Sequence, residues 1–308
     1  MRTALIVDAA CDLPADYCVQ NDIHILPMGV VFAEERYFDQ RDSEVTRNFY
    51  NEYSHYRAKD TYSLPPSVDV ISSYILENIA GQYDQAFIMC LSSSRSRLYK
   101  FAVEAGKQVM QTIRDSRERA AIQLKNLRIM DTQTVFTGQA VLAYEAQRVV
   151  AVIKQVDSQE LYEVLRVLSE NVNVYTIPDD LYYVRARANL RGERSYGKLS
   201  YAIGRSFDVK PIVLTKNGMV EKVGKAKGFR EAVSTLFQMV KDAIDKGLMI
   251  NTIMLSYAGD TREITGSNSF KSLQGYAENE GVKVYISVMS TAAGINVGPG
   301  ALSVSYCG

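Results

Sequence analysis

The residues able to do chemistry in this chain gather at the ends of its apolar runs. Asp8 closes "LIVD" and Asp131 closes "RIMD", each a carboxylate at the carboxyl end of a strand-like segment. Ligands of open α/β sheets bind at that end, and Asp is equally a residue that caps the helix or turn that follows. Both readings stand. The segment "LSSSRSRLYKFA" (91–102) follows another such run, so its serine hydroxyls and backbone N–H groups converge on a strand-to-helix turn. That suits a grip on a carboxylate or phosphate, or a solvated turn capping the next helix. A second polar turn, "TYSLPPS" (61–67), offers Thr61 and Ser63 beside two stiffening prolines. Near the end, "STAAGINVGPGALSVSYCG" (290–308) places a glycine-rich turn between two strand-like runs, with Asn296 as its polar centre.

Other constellations are missing. No Gly-x-Gly-x-x-Gly follows the first strand, and no Gly-x-Ser-x-Gly elbow occurs. "NGMVEKVGKA" misses the phosphate-loop spacing by one residue and ends on Ala226 where Ser or Thr would hold magnesium. The four cysteines form no Cys-x-x-Cys pair and the two histidines, His24 and His55, lie far apart, so no zinc site is expected. No catalytic group and no cofactor are expected either.

The elements that position these residues follow from periodicity. "ALIVDA" (4–9), "HILPMGVVF" (24–32), "QAFIMCLS" (85–92) and "NLRIMDT" (126–132) read as buried parallel strands, with helices around 66–81, 98–116 and 138–153. Right-handed crossovers then give a Rossmann-like, three-layer N-terminal domain, residues 1–155. The second half, 156–308, reads as helix 157–170, "VNVYTIPDD", helices near 179–189 and 197–207, a hairpin through Asn217-Gly218, helix 229–246, "TIMLSYA", helix 260–279, "KVYISVM" and "ALSVSYC". This predicts a mixed sheet with helices mainly on one face, closing a cleft against the first domain.

Acidic and basic residues balance at 35 each, which leaves no global field for nucleic acid or an anionic membrane. "YVRARANLRGERSYGK" (183–198) is locally basic through Arg185, Arg187, Arg191, Arg194 and Lys198, but lacks aromatic interleaving, so a solvated face or protein-docking surface is expected. The opening residues read as a strand, not a signal peptide, and no apolar run reaches the ~18 residues of a membrane span. A cytoplasmic protein is expected.

Taken in order, the motifs resemble the DegV family of bacterial fatty-acid-binding proteins over essentially the whole chain. "IVDAACDLP", "IHILPMGVVF" with "RYFD" ending on Asp39, "YSLPP", "LSSSRSRLYKFA", "DTQTVFTGQAVLAYEA", "DLYYVRARANL", "DVKPIVLTKNG" and "GINVGPGALSVSY" stand where that family has its characteristic segments. The resemblance implies a non-catalytic carrier with an acyl chain held between two domains. Its head group would lie against Thr61, Tyr62, Ser63, Ser93, Ser96, Asn296 and Gly298; the family threonine falls on Tyr62, or on Thr61 after a one-residue shift. In several bacteria such proteins present a fatty acid to a separate kinase.

This chain departs from the pattern at head-group and kinase-facing positions. The family's closing histidine is Asn296, its Gly-Thr after the serines is Arg97-Leu98, and the Gly-Arg element after the Tyr-Leu helix is Arg187-Ala188-Asn189. Asn hydrogen-bonds but carries no charge and shuttles no proton, which counts against hand-over to an acyl kinase. Arg95 and Arg97 stand either as replacement cations facing the ligand or, with Arg185, Arg187 and Lys227, as a basic rim for a protein partner. The competing expectation is a regulatory or docking module of the same fold without lipid.

Overall fold

The structure, a computed structural model, describes all residues except 33–34, 40, 54–60, 117–121, 154 and 185–207. The described chain runs β1 (Thr3–Asp8), α1 (Ala15–Gln20), β2 (Ile23–Leu26), β3 (Met28–Phe32), β4 (Glu35–Asp39), α2 (Ser43–Tyr53), β5 (Tyr62–Leu64), α3 (Val68–Asn78), β6 (Gln85–Cys90), α4 (Leu98–Asp115), β7 (Asn126–Asp131) and α5 (Thr137–Val152). It continues with α6 (Ser158–Ser169), β8 (Val172–Ile177), β9 (Val209–Lys216), β10 (Met219–Lys227), α7 (Phe229–Lys246), β11 (Thr252–Tyr257), α8 (Arg262–Thr265), α9 (Asn268–Asn279), β12 (Lys283–Val288), α10 (Thr291–Val297) and β13 (Leu302–Cys307).

The first sheet, ordered β2-β1-β6-β7, is wholly parallel. Its central strands β1 and β6 are buried almost throughout because both faces are covered. Ala4 and Ile6 of β1 pack with Ile71, Ile75, Ala102 and Val109 of α3 and α4. The alternate residues, Leu5 and Val7, join Val141, Leu142, Leu161 and Leu165 of α5 and α6 on the other side. The period-2 pleat thus sorts one strand into two cores.

The second sheet, β10-β9-β8-β13-β11-β12, is mixed: β11 and β12 run parallel and its other pairs antiparallel. One face packs on α7 and α9 through Leu236, Phe237, Phe270 and Leu273. The other lies against α5, whose residues 137–146 are all buried because the helix is clasped between the two sheets. Most of these residues are apolar, as a position covered on two sides requires, and the buried Thr137 and Gln139 are hydrogen-bonded to Ser303 and Asp8. Gly138 allows the approach: a Cβ there would lie 2.4 Å from Val174.

Four expectations are corrected. Residues 24–32 do not form one strand: Pro27, which cannot donate to a ladder, separates β2 in the parallel sheet from β3 in a third, antiparallel sheet ordered β4-β3-β5. "TYSLPPS" is not merely a turn, since Tyr62–Leu64 is the strand β5, and Ser67 caps α3 by accepting from Val70 N at 3.3 Å. The closing segment is not a plain turn between strands. It holds the helix α10, started by Ser290 Oγ accepting from Ala293 N and stopped at Gly298 with φ 90°. The helix expected over 260–279 is broken into α8 and α9. Residues 185–189 of the segment 179–189 and all of 197–207, with Arg185 and Arg187, lie outside the described residues, as does His55.

Candidate functional site

The two strand-end carboxylates both serve the serine turn. Asp8 Oδ2 accepts from Leu91 N at 2.8 Å and from Gln139 Nε2 at 2.8 Å, while its Oδ1 accepts from Ala10 N at 3.0 Å. Asp131 Oδ1 accepts from Ser93 N at 3.1 Å and Gln133 N at 3.0 Å. Neither caps a helix; each closes a local turn and pins the loop after β6 to a neighbouring strand end. Burial pushes Asp8 up to about 6, with the hydrogen bonds from Gln139, Leu91 and Ala10 working against that rise.

So pinned, the turn folds on itself. Arg95 N and Ser96 N both donate to Ser92 O, and Ser96 Oγ accepts from Leu98 N, the first residue of α4. The β9–β10 hairpin tip reaches across to it. Gly218 N donates to Gln133 O at 2.9 Å, and a Cβ on Gly218 would lie 3.4 Å from Ser94 Oγ. The turn favours glycine there, because φ is 70° at this residue.

Below this junction lies a cavity of about 440 Å³, within the range of small-ligand sites. Its wall draws on β8 and β9 of the second sheet, on the small third sheet, and on the loops that follow β1 and β6 of the first. Met28, Leu64, Leu91, Phe101, Phe136 and Val213 supply apolar surface, and Tyr62, Ser63, Arg95, Ser96, Arg97 and Asn296 supply the polar groups. Phe136 reaches it from a conformation with φ 51° and ψ −120°, which costs a non-glycine residue about 1–3 kcal/mol.

Of the residues singled out from the sequence, Tyr62, Ser63, Ser96, Asn296, Arg95 and Arg97 meet on this cavity. Thr61, Ser93, Gly298 and Lys227 are not part of its lining. Thr61 is fully buried, and its hydroxyl has no hydrogen-bond partner among the described residues. Ser93 is exposed, Lys227 is exposed at the end of β10, and Gly298 packs under the Tyr183 ring. Asn296 donates from Nδ2 to Ala292 O at 2.8 Å, within its own helix. Sequence reasoning missed the apolar wall. Val213 and Thr215 alternate along β9 in a run apolar at most positions, and which of them face a cavity is decided by sheet pairing, not by residue type.

The four cysteines are buried and free, and burial pushes the thiols of Cys11 and Cys90 well above their usual range. Among the described residues no group of three or more His, Cys, Asp or Glu could hold a metal ion. No helix among them is long and apolar enough to cross a membrane.

Comparison with known proteins places these features in a lineage. The model of the DegV family, described as uncharacterised proteins, matches residues 2–308. A DegV domain-containing protein of Xanthomonas campestris is 34% identical over 307 residues, covering 99% of this chain and 97% of its own. Protein DegV of Bacillus subtilis is 24% identical over 311 residues, covering 100% and 99%. Among solved structures, DegV from Bacillus subtilis, described as a fatty acid binding protein, superposes with a TM-score of 0.79 at 20% identity, covering 100% of this chain and 99% of that one. A stearic-acid-binding protein from Eubacterium ventriosum gives 0.78 at 18% identity, covering 99% and 98%. At such identities the superpositions establish the fold.

Proposed function

The chain belongs to the DegV family, and from that premise we propose that it carries a long-chain fatty acid or related acyl lipid in the cavity between its halves, 1–155 and 156–308. The observation that supports this is the lining itself: apolar side chains with a cluster of hydroxyl, amide and guanidinium groups, open rather than plugged. The energetics agree. Burying about 15 methylenes yields roughly 12 kcal/mol gross at ~0.8 kcal/mol each, of which ordering and association consume a large part. The head group then needs hydrogen bonds, because an unpaired buried carboxylate is expensive.

The role we propose is binding, not turnover. Solved relatives of the same fold are described as fatty-acid-binding proteins, and stearic and heptadecanoic acids are named in two of them. Asn296 in place of the family histidine argues against hand-over to an acyl kinase of the usual kind. The cavity also weakens the alternative of a docking module without lipid, which a plugged interior would have favoured.

Native mass spectrometry of the purified protein, followed by lipid extraction, tests the reading. The expected result is a mass increment matching one acyl lipid, and a higher Tm when delipidated protein receives palmitate or stearate. Protein that is always ligand-free and gains no thermal stability from either acid overturns it.

A further inference from the structure

The cavity wall on β8 and β9 carries hydroxyls that the fold itself does not use. Thr176 and Thr215 line the cavity, and each is only 7% exposed. Neither hydroxyl has a hydrogen-bond partner among the described residues. Nor are they sealed off like the hydroxyls of Thr61 and Thr134, which are wholly enclosed; the surface they keep faces the cavity. Their neighbours show that place, not residue type, decides this. Thr176 stands opposite Ser303 on β13, Ser303 opposite Ser256 on β11, and Ser256 beside Ser287 on β12. Cross-strand partners share a face, so one row of hydroxyls crosses the second sheet. Ser303 Oγ pairs with Thr137 Oγ1 at 2.7 Å, Ser256 Oγ donates to Asp12 Oδ2 at 2.6 Å, and Ser287 Oγ donates to Asp12 O at 2.7 Å. The first half of the chain thus satisfies the row until it reaches Thr176, which faces the cavity instead.

Thr176 opposes Val213 and Thr215 opposes Val174, so the two threonines are diagonal neighbours on one face, roughly 7–8 Å apart. At a rise of about 3.3 Å per residue, Thr215 lies about 10 Å along β9 from Gly218, and Thr176, level with Val213, about 17 Å from it. Gly218 is the hairpin tip that meets the serine turn. A ligand whose head lies at that turn therefore lays its chain, not its head, along these hydroxyls. A threonine hydroxyl both donates and accepts. Methylenes laid across it strip its water and return no hydrogen bond, which is unfavourable; an oxygen at that height returns one. Resting on the lipid reading above, we propose that the cavity selects an acyl lipid with a hydroxyl partway along its chain, and that Thr176 and Thr215 recognise that hydroxyl.

The test is equilibrium binding to delipidated full-length protein of stearate, 2-hydroxystearate, 9-hydroxystearate and 12-hydroxystearate. The wild type is expected to bind at least one of the two mid-chain hydroxy acids about 3- to 10-fold more tightly than stearate, the scale of one net hydrogen bond. It is expected to bind 2-hydroxystearate no more tightly than stearate. Thr176→Val and Thr215→Val keep the β-branched shape. At least one of them is expected to abolish the mid-chain preference while raising affinity for stearate, since one fewer hydroxyl then loses its water. Serine at the same position is expected to restore the preference. The Tm of each ligand-free variant separates a folding defect from a lost contact; where a valine variant unfolds, the wild-type ratio and the serine variant decide. No preference of the wild type for either mid-chain hydroxy acid over stearate, or a preference that survives both valine substitutions together, overturns the inference while leaving the lipid reading intact. Binding of none of the four by the wild type overturns both.

Discussion

Arg41 Nη1 lies 3.3 Å from Asp12 Oδ1, and both side chains are almost wholly buried. The pair ties together distant parts of the chain. Asp12 Oδ1 also accepts from Ser290 N and its Oδ2 from Ser256 Oγ, while Arg41 Nη2 donates to Leu13 O. Beside it, Asp39 Oδ2 accepts from Ala292 N. The loop after β1, the end of β4 and the start of α10 are thereby joined, and α10 is the helix that brings Asn296 to the cavity.

Removing one partner leaves the other charge buried and uncompensated, which typically costs 3–5 kcal/mol, about the scale expected here. Arg41→Met and Asp12→Ala are each expected to lower the unfolding free energy from urea titration by that amount, seen as a lower midpoint with the denaturant slope unchanged. A loss below about 1 kcal/mol in both would mean the pair contributes little to this junction.

Gly294 makes a similar point through space. Alanine normally improves a helix over glycine by about 1 kcal/mol, yet a Cβ at 294 would lie 2.0 Å from the Tyr50 hydroxyl, which donates to Met289 O and Ser290 O. Gly294→Ala is expected to lower the Tm by several degrees, at about 2–4 °C per kcal/mol for larger domains. An unchanged or raised Tm by calorimetry would show that Tyr50 moves aside freely.

The same positions show how far the sequence was legible. The parallel sheet was readable because β1, β6 and β7 are compact apolar runs, and the serine turn followed from its place after β6. The third sheet was not, since β4 and β5 are short and carry Glu35, Arg36 and Ser63 on an edge-like pattern. The helix α10 hid for a related reason. Seven residues with an internal glycine give too little periodicity to separate a helix from a glycine-rich turn. Tyr62, Ser63 and Ser96 were recognisable as head-group candidates from turn chemistry and family pattern, whereas the cavity wall on β8 and β9 depended on long-range pairing.

Asp8 gives stability a pH signature. Its carboxyl is raised from 3.8 to about 6 in the folded protein, so between those values the folded state holds a proton the unfolded state has released. Stability from this group is fully present below pH 3.8 and is lost as pH rises through about 6. The total is on the order of 3 kcal/mol. Asp8→Asn removes this titration while disturbing the bonds from Leu91 and Gln139, so it is expected to be less stable than wild type at low pH and to close part of that gap by pH 7. Urea denaturation across this range checks it; a gap between the two proteins that stays constant with pH contradicts it.

The cavity wall should set a length limit on the acyl chain. Each methylene that finds room contributes at most ~0.8 kcal/mol, about 4-fold in affinity, and a methylene left outside contributes little. Affinity measured along the saturated fatty acids is therefore expected to climb and then level off. Ala292 lines the cavity and is 2% exposed, so Ala292→Leu places about three extra carbons inside a space already close-packed at its edges. The plateau is expected to move to acids shorter by two or three methylenes. A profile that does not move would place the acyl chain away from α10.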